Sequence, residues 1–185
     1  MQSRGDKGSK MRLQIVIAGV GGQGVLFAAR ILYQLAHQRG ENVFGSETHG
    51  MSQRGGSVLC HVKIGEFFTP LVKRGRADLL FGLQRDEGLR NLSMLREGGA
   101  AVINSPSLPE VEGVRLYSVD ADELAQKVGN PRVANLILIG YAASKGLLPF
   151  NEQEVREAVT MLTPVALREI NLQAAQMGFE FGKEA

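Results

Sequence analysis

Short apolar runs and stretches of helical periodicity alternate along most of the chain. Runs of four to eight apolar or alternating residues, bounded by glycine, proline or polar residues, are typical of strands. Those that fit are residues 12–18, 42–45, 57–64, 67–72, 77–83, 100–104 and 114–119. The runs on either side of Gly65 and Glu66 predict a β-hairpin, so the sheet is expected to be mixed.

Other segments space their apolar residues as one face of a helix does. They are residues 25–37, 86–96, 121–128, 133–144, 151–161 and 164–177. Asp120 is a predicted N-cap, and Asn151 with Glu154 predicts a capping box. The segment 133–144 is apolar on all sides apart from Asn135, so we expect a buried helix. We expect Asn135 to cap or hydrogen-bond internally, and direct ligand contact is the alternative.

The order of these elements predicts an α/β fold. We expect a three-layer αβα sandwich with a mixed, mostly parallel central sheet, a Rossmann-like start and one β-hairpin insertion. The 185 residues suffice for one domain with a sizeable core, predicted at residues 11–185. Residues 1–10 are polar and basic, and we interpret them as a disordered or tag-like tail before Met11.

Composition and charge exclude several classes of protein. The chain has 21 basic and 19 acidic residues, and the tail accounts for three and one of these, which leaves 18 of each. That balance does not fit a nucleic-acid binder. No apolar stretch is long enough for a membrane span and the tail lacks a secretory h-region, so we expect a cytoplasmic protein. The single cysteine, Cys60, cannot form an intrachain disulfide or an all-cysteine cluster and is expected to be buried and inert.

A glycine-rich turn follows the first strand. Gly19, Gly21 and Gly24 fit the pattern G-x-G-x-x-G between a strand and a helix. Glycines allow a tight turn and close approach, and the free N–H groups at the helix start favour an anion. The pattern fits a nucleotide, a phosphate or carboxylate, or a side chain of a partner. In a dinucleotide enzyme, Glu47 would stand roughly where the ribose-binding acid belongs.

A second loop, residues 46–56, concentrates polar groups between glycines. His49 could shuttle a proton with Glu47 orienting it, and Arg54 could bind an anion. The alternative, that these residues hold the loop together or contact another subunit, is the interpretation we favour for His49. The three histidines of the chain lack ligand spacing, and neither a G-x-S-x-G elbow nor a P-loop lysine is present. We assign no catalytic residue.

The two motifs together resemble a known family. G-V-G-G-Q-G-V (residues 19–25) and S-E-T-H-G-M-S-Q-R-G-G-S-V (residues 46–58) are similar to the gamma subunit, or gamma domain, of the 2-oxoacid:ferredoxin oxidoreductases. That family includes pyruvate, 2-oxoglutarate, 2-oxoisovalerate and indolepyruvate enzymes. The resemblance extends along nearly the whole chain from Met11 and is greatest to the small subunits of the indolepyruvate and 2-oxoglutarate branches.

This resemblance implies a subunit of a cytoplasmic complex of anaerobic metabolism. The complete enzyme decarboxylates a 2-oxoacid on thiamine diphosphate and Mg²⁺, forms an acyl-coenzyme A, and passes electrons through iron–sulfur clusters to ferredoxin. The cofactors are expected on thiamine-binding and ferredoxin-type partner chains, with none bound by this chain alone, and a homodimer is possible. The positions that match the family motifs, with Asn135 added, are expected to bind ligand or partner: Gly19, Gly21, Gly22, Gln23, Gly24, Glu47, His49, Gly50, Met51, Gln53, Arg54, Gly55, Gly56 and Asn135.

Two other functions remain open from the residues alone. The first is a free-standing dinucleotide-binding oxidoreductase that uses the glycine turn and Glu47. The second is a non-catalytic interaction module whose glycine turn accepts the backbone of a partner, and this is compatible with the subunit interpretation.

Overall fold

The structure is a computed structural model that describes residues 11–49 and 55–185, without the side chain of His49. The tail 1–10 and four predicted site residues, Gly50, Met51, Gln53 and Arg54, lie outside the described residues. The strands are β1 (Arg12–Val20), β2 (Val43–His49), β3 (Ser57–Gly65), β4 (Ala77–Gly82), β5 (Leu95–Asn104) and β6 (Arg115–Val119). The helices are α1 (Val25–Gln38), α2 (Arg85–Arg90), α3 (Ala121–Val128), α4 (Ala134–Ser144), α5 (Glu152–Leu162) and α6 (Val165–Glu184).

The six strands form one mixed sheet in the order β2-β3-β1-β4-β5-β6. Strand β3 runs antiparallel to both neighbours, whereas β1, β4, β5 and β6 pair in parallel. The expected mixed, mostly parallel α/β sheet is confirmed. Because β3 is inserted between β1 and β2, the first strand–helix–strand unit does not place its two strands side by side.

The predicted hairpin between residues 57–64 and 67–72 is wrong. Residues 67–72 form no strand, and β3 pairs instead with β2, with residues 50–56 connecting them. Both edges of β3 are occupied by β1 and β2, so residues 67–72 do not pair with it, and Val72 packs with Val16 and Leu80 on one face of the sheet. There the Val72 N–H donates to Nδ1 of the buried His61, at 3.3 Å.

Three further boundaries differ from the sequence pattern. The strand predicted at 42–45 extends to His49, because it pairs with β3 over its whole length. The helix predicted at 86–96 ends at Arg90, where the Asn91 side chain donates to the Glu87 carbonyl oxygen, at 2.9 Å. A 3₁₀ turn follows, and β5 begins already at Leu95, which is buried.

The last helix continues seven residues beyond its predicted end at 177 because glycines pack it against α4. A Cβ on Gly178 would lie 2.1 Å from the Ile137 carbonyl oxygen, and one on Gly140 would lie 2.2 Å from that of Ala175. The two helix backbones therefore touch at these positions, and packing extends a helix that the sequence pattern alone would end. The caps predicted at Asp120 and Asn151 are confirmed.

The two faces of the sheet are covered unequally. Helices α1, α3, α4, α5 and α6 enclose the larger core, which contains Ile15, Ile17 and Cys60. The other face packs Val16, Leu80 and Ile103 under α2, the 3₁₀ turn and irregular segments. The two motif loops begin at the carboxyl edge of this sheet, where β1 and β2 end.

Candidate functional site

Strands β1 and β2 end at the same edge of the sheet. Gly19 and His49 both stand opposite Val58 of β3, so the loops that follow emerge side by side. The Gly21 N–H donates to the Gly56 carbonyl oxygen at 2.9 Å. The two motifs recognised in the sequence are therefore joined directly, by a backbone hydrogen bond.

Gly24 and Asn135 connect the glycine turn to the buried helix α4. Gly24 is the N-cap of α1 with φ +76°, and its carbonyl oxygen accepts from the Ala28 N–H at 2.9 Å and from Asn135 Nδ2 at 3.1 Å. Oδ1 of Asn135 accepts from the Leu136 N–H at 2.8 Å. The expected internal hydrogen bonding of Asn135 is confirmed, and the residue positions the turn.

Gln23 also holds the turn in place. Its Oε1 accepts from the Val20 N–H at 2.9 Å and its Nε2 donates to the Leu83 carbonyl oxygen at 3.3 Å. Gly19 is needed beside it, because a Cβ there would lie 2.9 Å from Val25 Cγ2 and 3.0 Å from Gln23 Oε1. Of the residues in the first motif, Gly19 and Gln23 thus shape the turn, while the exposed Gly21 and Gly22 form its outer surface.

A surface crevice lies beside this turn, between the start of α1 and the loops before α4 and α6. No sequence pattern predicts this crevice, because its residues come from distant segments of the chain. Its lining includes two exposed arginines, Arg30 and Arg132. The walls also include Gly22, Gly24, Phe27, Asn135, Leu162, Pro164, Leu167 and Asn171. The crevice also reaches Gly24 at the start of α1, and two cations together with a helix N-terminus favour an anionic group.

Glu47 does not stand where a dinucleotide enzyme would need it. It lies within β2, opposite Cys60 of β3, so one strand separates it from β1 and the glycine turn. Its charge, together with the burial that is the larger cause, raises the pKa of Cys60 to about 11. Burial, with the charges of Cys60 and Glu47, also raises the pKa of Tyr33 on α1. Glu47 therefore interacts with α1 and β3.

Glu87 anchors the far end of the second loop and was not singled out in the sequence. The Ser57 hydroxyl, at the start of β3, donates to Oε2 of the buried Glu87 at 2.6 Å, and Oε1 of that carboxylate pairs with Arg90. Asn104 fixes the same edge, since its Nδ2 donates to the Leu83 carbonyl oxygen and its Oδ1 accepts from the Ala121 N–H. No sequence signal marks Glu87, because only the fold brings its carboxylate next to Ser57 of the second motif.

The remaining titratable groups do not assemble into a metal site among residues 11–49 and 55–185, where no cluster of three candidate ligands occurs. His61 is buried, and burial together with Lys63 lowers its pKa, which suits a neutral imidazole that accepts from Val72. In the described part of the chain, no helix has the length and apolar character needed to cross a bilayer.

Comparison with known proteins identifies the family. Residues 14–181 match the family model described as pyruvate ferredoxin/flavodoxin oxidoreductase. The chain belongs to this family. Indolepyruvate oxidoreductase subunit IorB of Archaeoglobus fulgidus is 35% identical, over 91% of this chain and 94% of that protein. The 2-oxoglutarate synthase subunit KorC of Methanocaldococcus jannaschii is 26% identical, over 95% and 96% of the two chains.

A solved structure agrees with this family assignment. The gamma subunit of a keto/oxoacid ferredoxin oxidoreductase from Geobacter sulfurreducens superposes with a TM-score of 0.79 at 28% identity, over 94% of this chain and all of that one. The resemblance to gamma subunits noted in the sequence is confirmed, and so is the α/β fold. In this pyruvate ferredoxin/flavodoxin oxidoreductase family member, both motif loops begin at the carboxyl edge of the sheet, where β1 and β2 end.

Proposed function

We propose that the chain works as the gamma-type subunit of a 2-oxoacid:ferredoxin oxidoreductase and contributes to a complex rather than acting alone. The observation that carries this proposal is the match, along nearly its full length, to a subunit of an indolepyruvate oxidoreductase. The complex would convert a 2-oxoacid to an acyl-coenzyme A and pass electrons to ferredoxin. We also propose that it acts in the cytoplasm, as part of anaerobic metabolism.

The proposed division of labour places the cofactors on other subunits. A cysteine-ligated cluster needs several thiolates, whereas this chain has one cysteine, which is buried. Thiamine diphosphate, Mg²⁺ and the clusters would be held by thiamine-binding and ferredoxin-type chains. The described residues of this chain include no cluster of three candidate metal ligands.

The joined loops would form the contact with a partner subunit. Exposed glycines leave the backbone open, so another chain can approach closely and bond to peptide groups. Gly21 and Gly22 offer such a surface, and the Gly21–Gly56 hydrogen bond fixes it relative to β3. His49, Gly50, Met51, Gln53 and Arg54, on the intervening segment of the second motif, would belong to the same contact.

The crevice beside the glycine turn would bind an anionic group in the assembled enzyme. Arg30 and Arg132 supply two positive charges, and the start of α1 adds the partial positive charge of a helix N-terminus. The phosphates of coenzyme A match this chemistry. Substitution of either arginine by alanine should raise KM for coenzyme A several-fold and leave KM for the 2-oxoacid unchanged, whereas Arg156→Ala on α5 serves as the control.

The strand order of the sheet disfavours the alternative of a free-standing dinucleotide-binding oxidoreductase. Strand β3 separates β1 from β2, and Glu47 lies on the far side of it from the glycine turn. A Rossmann fingerprint requires the acid beside the turn. An interaction module without catalytic residues remains compatible with the proposal, since a gamma subunit that only assembles the complex would be one.

The experiment that tests the proposal is anaerobic co-expression of this chain with the partner subunits encoded for the complex. We expect co-purification, bound iron and thiamine, and reduction of methyl viologen that depends on a 2-oxoacid. Indolepyruvate, 2-oxoglutarate, 2-oxoisovalerate and pyruvate would be compared as substrates. Viologen reduction by the isolated chain, or a fully active complex that lacks this chain, would contradict the proposal.

A further inference from the structure

A basic and aromatic surface lies at the opposite edge of the sheet from the motif loops. We call it the basic edge and define it by Arg12, Lys63, Phe67, Phe68, Leu71, Lys73 and Arg74. Arg12 begins β1 and stands opposite Gly65, the end of β3. Since β1 has nine residues, the basic edge lies roughly 30 Å from the glycine turn. It is therefore spatially separate from the site described above.

Cations crowd around one aromatic ring in this surface. Arg12 Cζ lies 4.5 Å and Lys63 Nζ 5.1 Å from the centre of the Phe67 ring. Lys63 is buried, and its ammonium donates to Thr69 Oγ1 at 3.3 Å. Burial, together with the charges of Lys73 and Arg12, lowers the pKa of Lys63. Positive charge is thus concentrated here at an energetic cost that a negative partner would offset.

Two apolar side chains project from the same surface. Phe68 is 98% exposed and Leu71 is 53% exposed. Residues next to them are hydrogen-bonded to β3, because Thr69 Oγ1 accepts from Lys63 Nζ at 3.3 Å and the Val72 N–H donates to His61 Nδ1 at 3.3 Å. A fully exposed phenyl ring on a hydrogen-bonded segment is typical of a residue that becomes buried on association.

The charge of the surface indicates the occupant. Residue 12 and residues 61–76 together contain five basic residues, Arg12, Lys63, Lys73, Arg74 and Arg76, and one acidic residue, Glu66. We propose that the basic edge docks a segment of a partner subunit in which carboxylates flank an apolar side chain. Phe68 would enter the apolar part, and Lys73 and Arg74 would pair with the carboxylates. This inference rests on the proposed function, since it takes the partner to be a subunit of the same complex.

The test measures binding of the full-length chain to the purified remaining subunits of the complex. Phe68→Ser and the double variant Lys73→Glu/Arg74→Glu should each weaken binding at least about tenfold. Binding of the wild type should also weaken as salt rises from about 0.05 to 0.5 M. Lys127→Glu on α3 is the matched control, an exposed cation remote in sequence from the basic edge, and it should bind as the wild type does. All these positions are exposed, so the variants should fold, and their thermal unfolding would verify this.

A cross-linking measurement identifies the occupant. With p-benzoylphenylalanine at position 68 of the assembled complex, we expect a photoproduct within a carboxylate-rich stretch of a partner subunit. A photoproduct only with a second copy of this chain, or wild-type affinity for both variants in a complex that assembles, would overturn the inference and leave the proposed function standing. If the wild-type chain does not bind the remaining subunits at all, both proposals fall together.

Discussion

The backbone N–H of Gly21 donates to the carbonyl oxygen of Gly56 at 2.9 Å, which makes the two glycine-rich loops one structural unit. A Cβ on Gly21 would lie 3.5 Å from the Gly55 nitrogen, so the loops are in contact with little space between them. This contact continues the pairing of β1 with β3 beyond Val20 and Ser57, into the end of the second loop. It explains why two motifs separated by about thirty residues belong to one candidate site.

Two substitutions of Gly21 test its role in partner binding separately from its role in folding. Gly21 is outside the left-handed region and has room for a Cβ, so Gly21→Ala should behave as the wild type does. Gly21→Leu places a bulky side chain on the exposed surface of the joined loops and should weaken binding to the partner subunits about tenfold or more, with a loss of stability under about 1 kcal/mol. Thermal unfolding and titration with the partner subunits measure the two effects. Equal binding by both variants would show that the joined loops are not a contact surface.

Gly24 and Gly22 form a matched pair for the glycine turn. Both have positive φ, but a Cβ on Gly24 would lie 2.4 Å from Asn135 Nδ2, whereas one on Gly22 would have no atom within 4 Å. Gly22→Ala should cost about 1 kcal/mol of unfolding free energy from backbone strain alone. Gly24→Ala should cost roughly 2–4 kcal/mol, because strain adds to the loss of the Asn135 hydrogen bond. Urea titration would measure both values.

A double variant measures how much of the cost of Gly24→Ala comes from the clash between the new Cβ and the Asn135 amide. In an Asn135→Ala chain, the cost of Gly24→Ala should fall to about that of Gly22→Ala, since the amide that the new methyl group would meet is absent. A cost of Gly24→Ala that is the same with and without Asn135 would contradict the assigned link between the turn and α4.

The interactions of the Glu154 carboxylate predict that the stability of the fold depends on pH. Its carboxylate accepts from Arg39 Nε and Nη2 at 2.6 and 2.7 Å and caps α5 at the Asn151 N–H. The Arg39 hydrogen bond, with a smaller contribution from Asn151, lowers the pKa of Glu154 below its ordinary 4.5. A carboxyl group with a lowered folded-state pKa stabilises the fold fully above its unfolded-state value, and this stabilisation is lost as pH falls through the folded-state pKa.

Glu154→Gln tests this dependence. At pH 7 the variant should be less stable by about 1 kcal/mol, since it loses the ion pair and weakens the capping box. The difference from the wild type should shrink as pH falls below 4.5. Thermal unfolding between pH 3 and pH 7 would measure it, with Glu169→Gln on α6 as an exposed control. A difference that stays constant over this range would contradict the assignment.

Cys60 should be inert in the folded chain. It is buried in the main core, and its pKa of about 11 leaves little thiolate at pH 8. Alkylation by iodoacetamide should therefore be at least about a hundredfold slower in the native chain than in urea. The chain has one cysteine, so intact mass reports the reaction directly. Equal rates in both conditions would show that Cys60 is accessible.

Local patterns in the sequence predicted most of the fold. Buried strands and the caps at Asp120 and Asn151 each depend on residues close in sequence. The position of Asn135 in an apolar helix predicted internal hydrogen bonding, but not its partner Gly24 at the other end of the chain. The partners of β3 were not predicted, because the hairpin pattern favoured residues 67–72, whereas β3 lies between β2 and the sequence-distant β1. The end of α6 was missed because Gly178 matters for its contact with Ile137, far away in the chain.

The candidate site was only partly predictable for the same reason. The glycine turn was recognised from its spacing, but Gln23 proved to bond to Leu83, sixty residues later. The crevice with Arg30 and Arg132, and the anchor between Ser57 and Glu87, combine segments that no local pattern relates. Conversely, Glu47 fits the spacing of a ribose-binding acid, but the insertion of β3 moves it away from the turn.

The central claim is that this chain is a gamma-type subunit that acts only within a 2-oxoacid:ferredoxin oxidoreductase. Its most direct test is 2-oxoacid-dependent reduction of methyl viologen by the anaerobically co-expressed complex, with and without this chain. The account predicts activity from the complete complex, with iron and thiamine co-purifying with this chain, and none from the chain alone. Full activity of the partner subunits in its absence, or failure of the chain to co-purify with them, would contradict it.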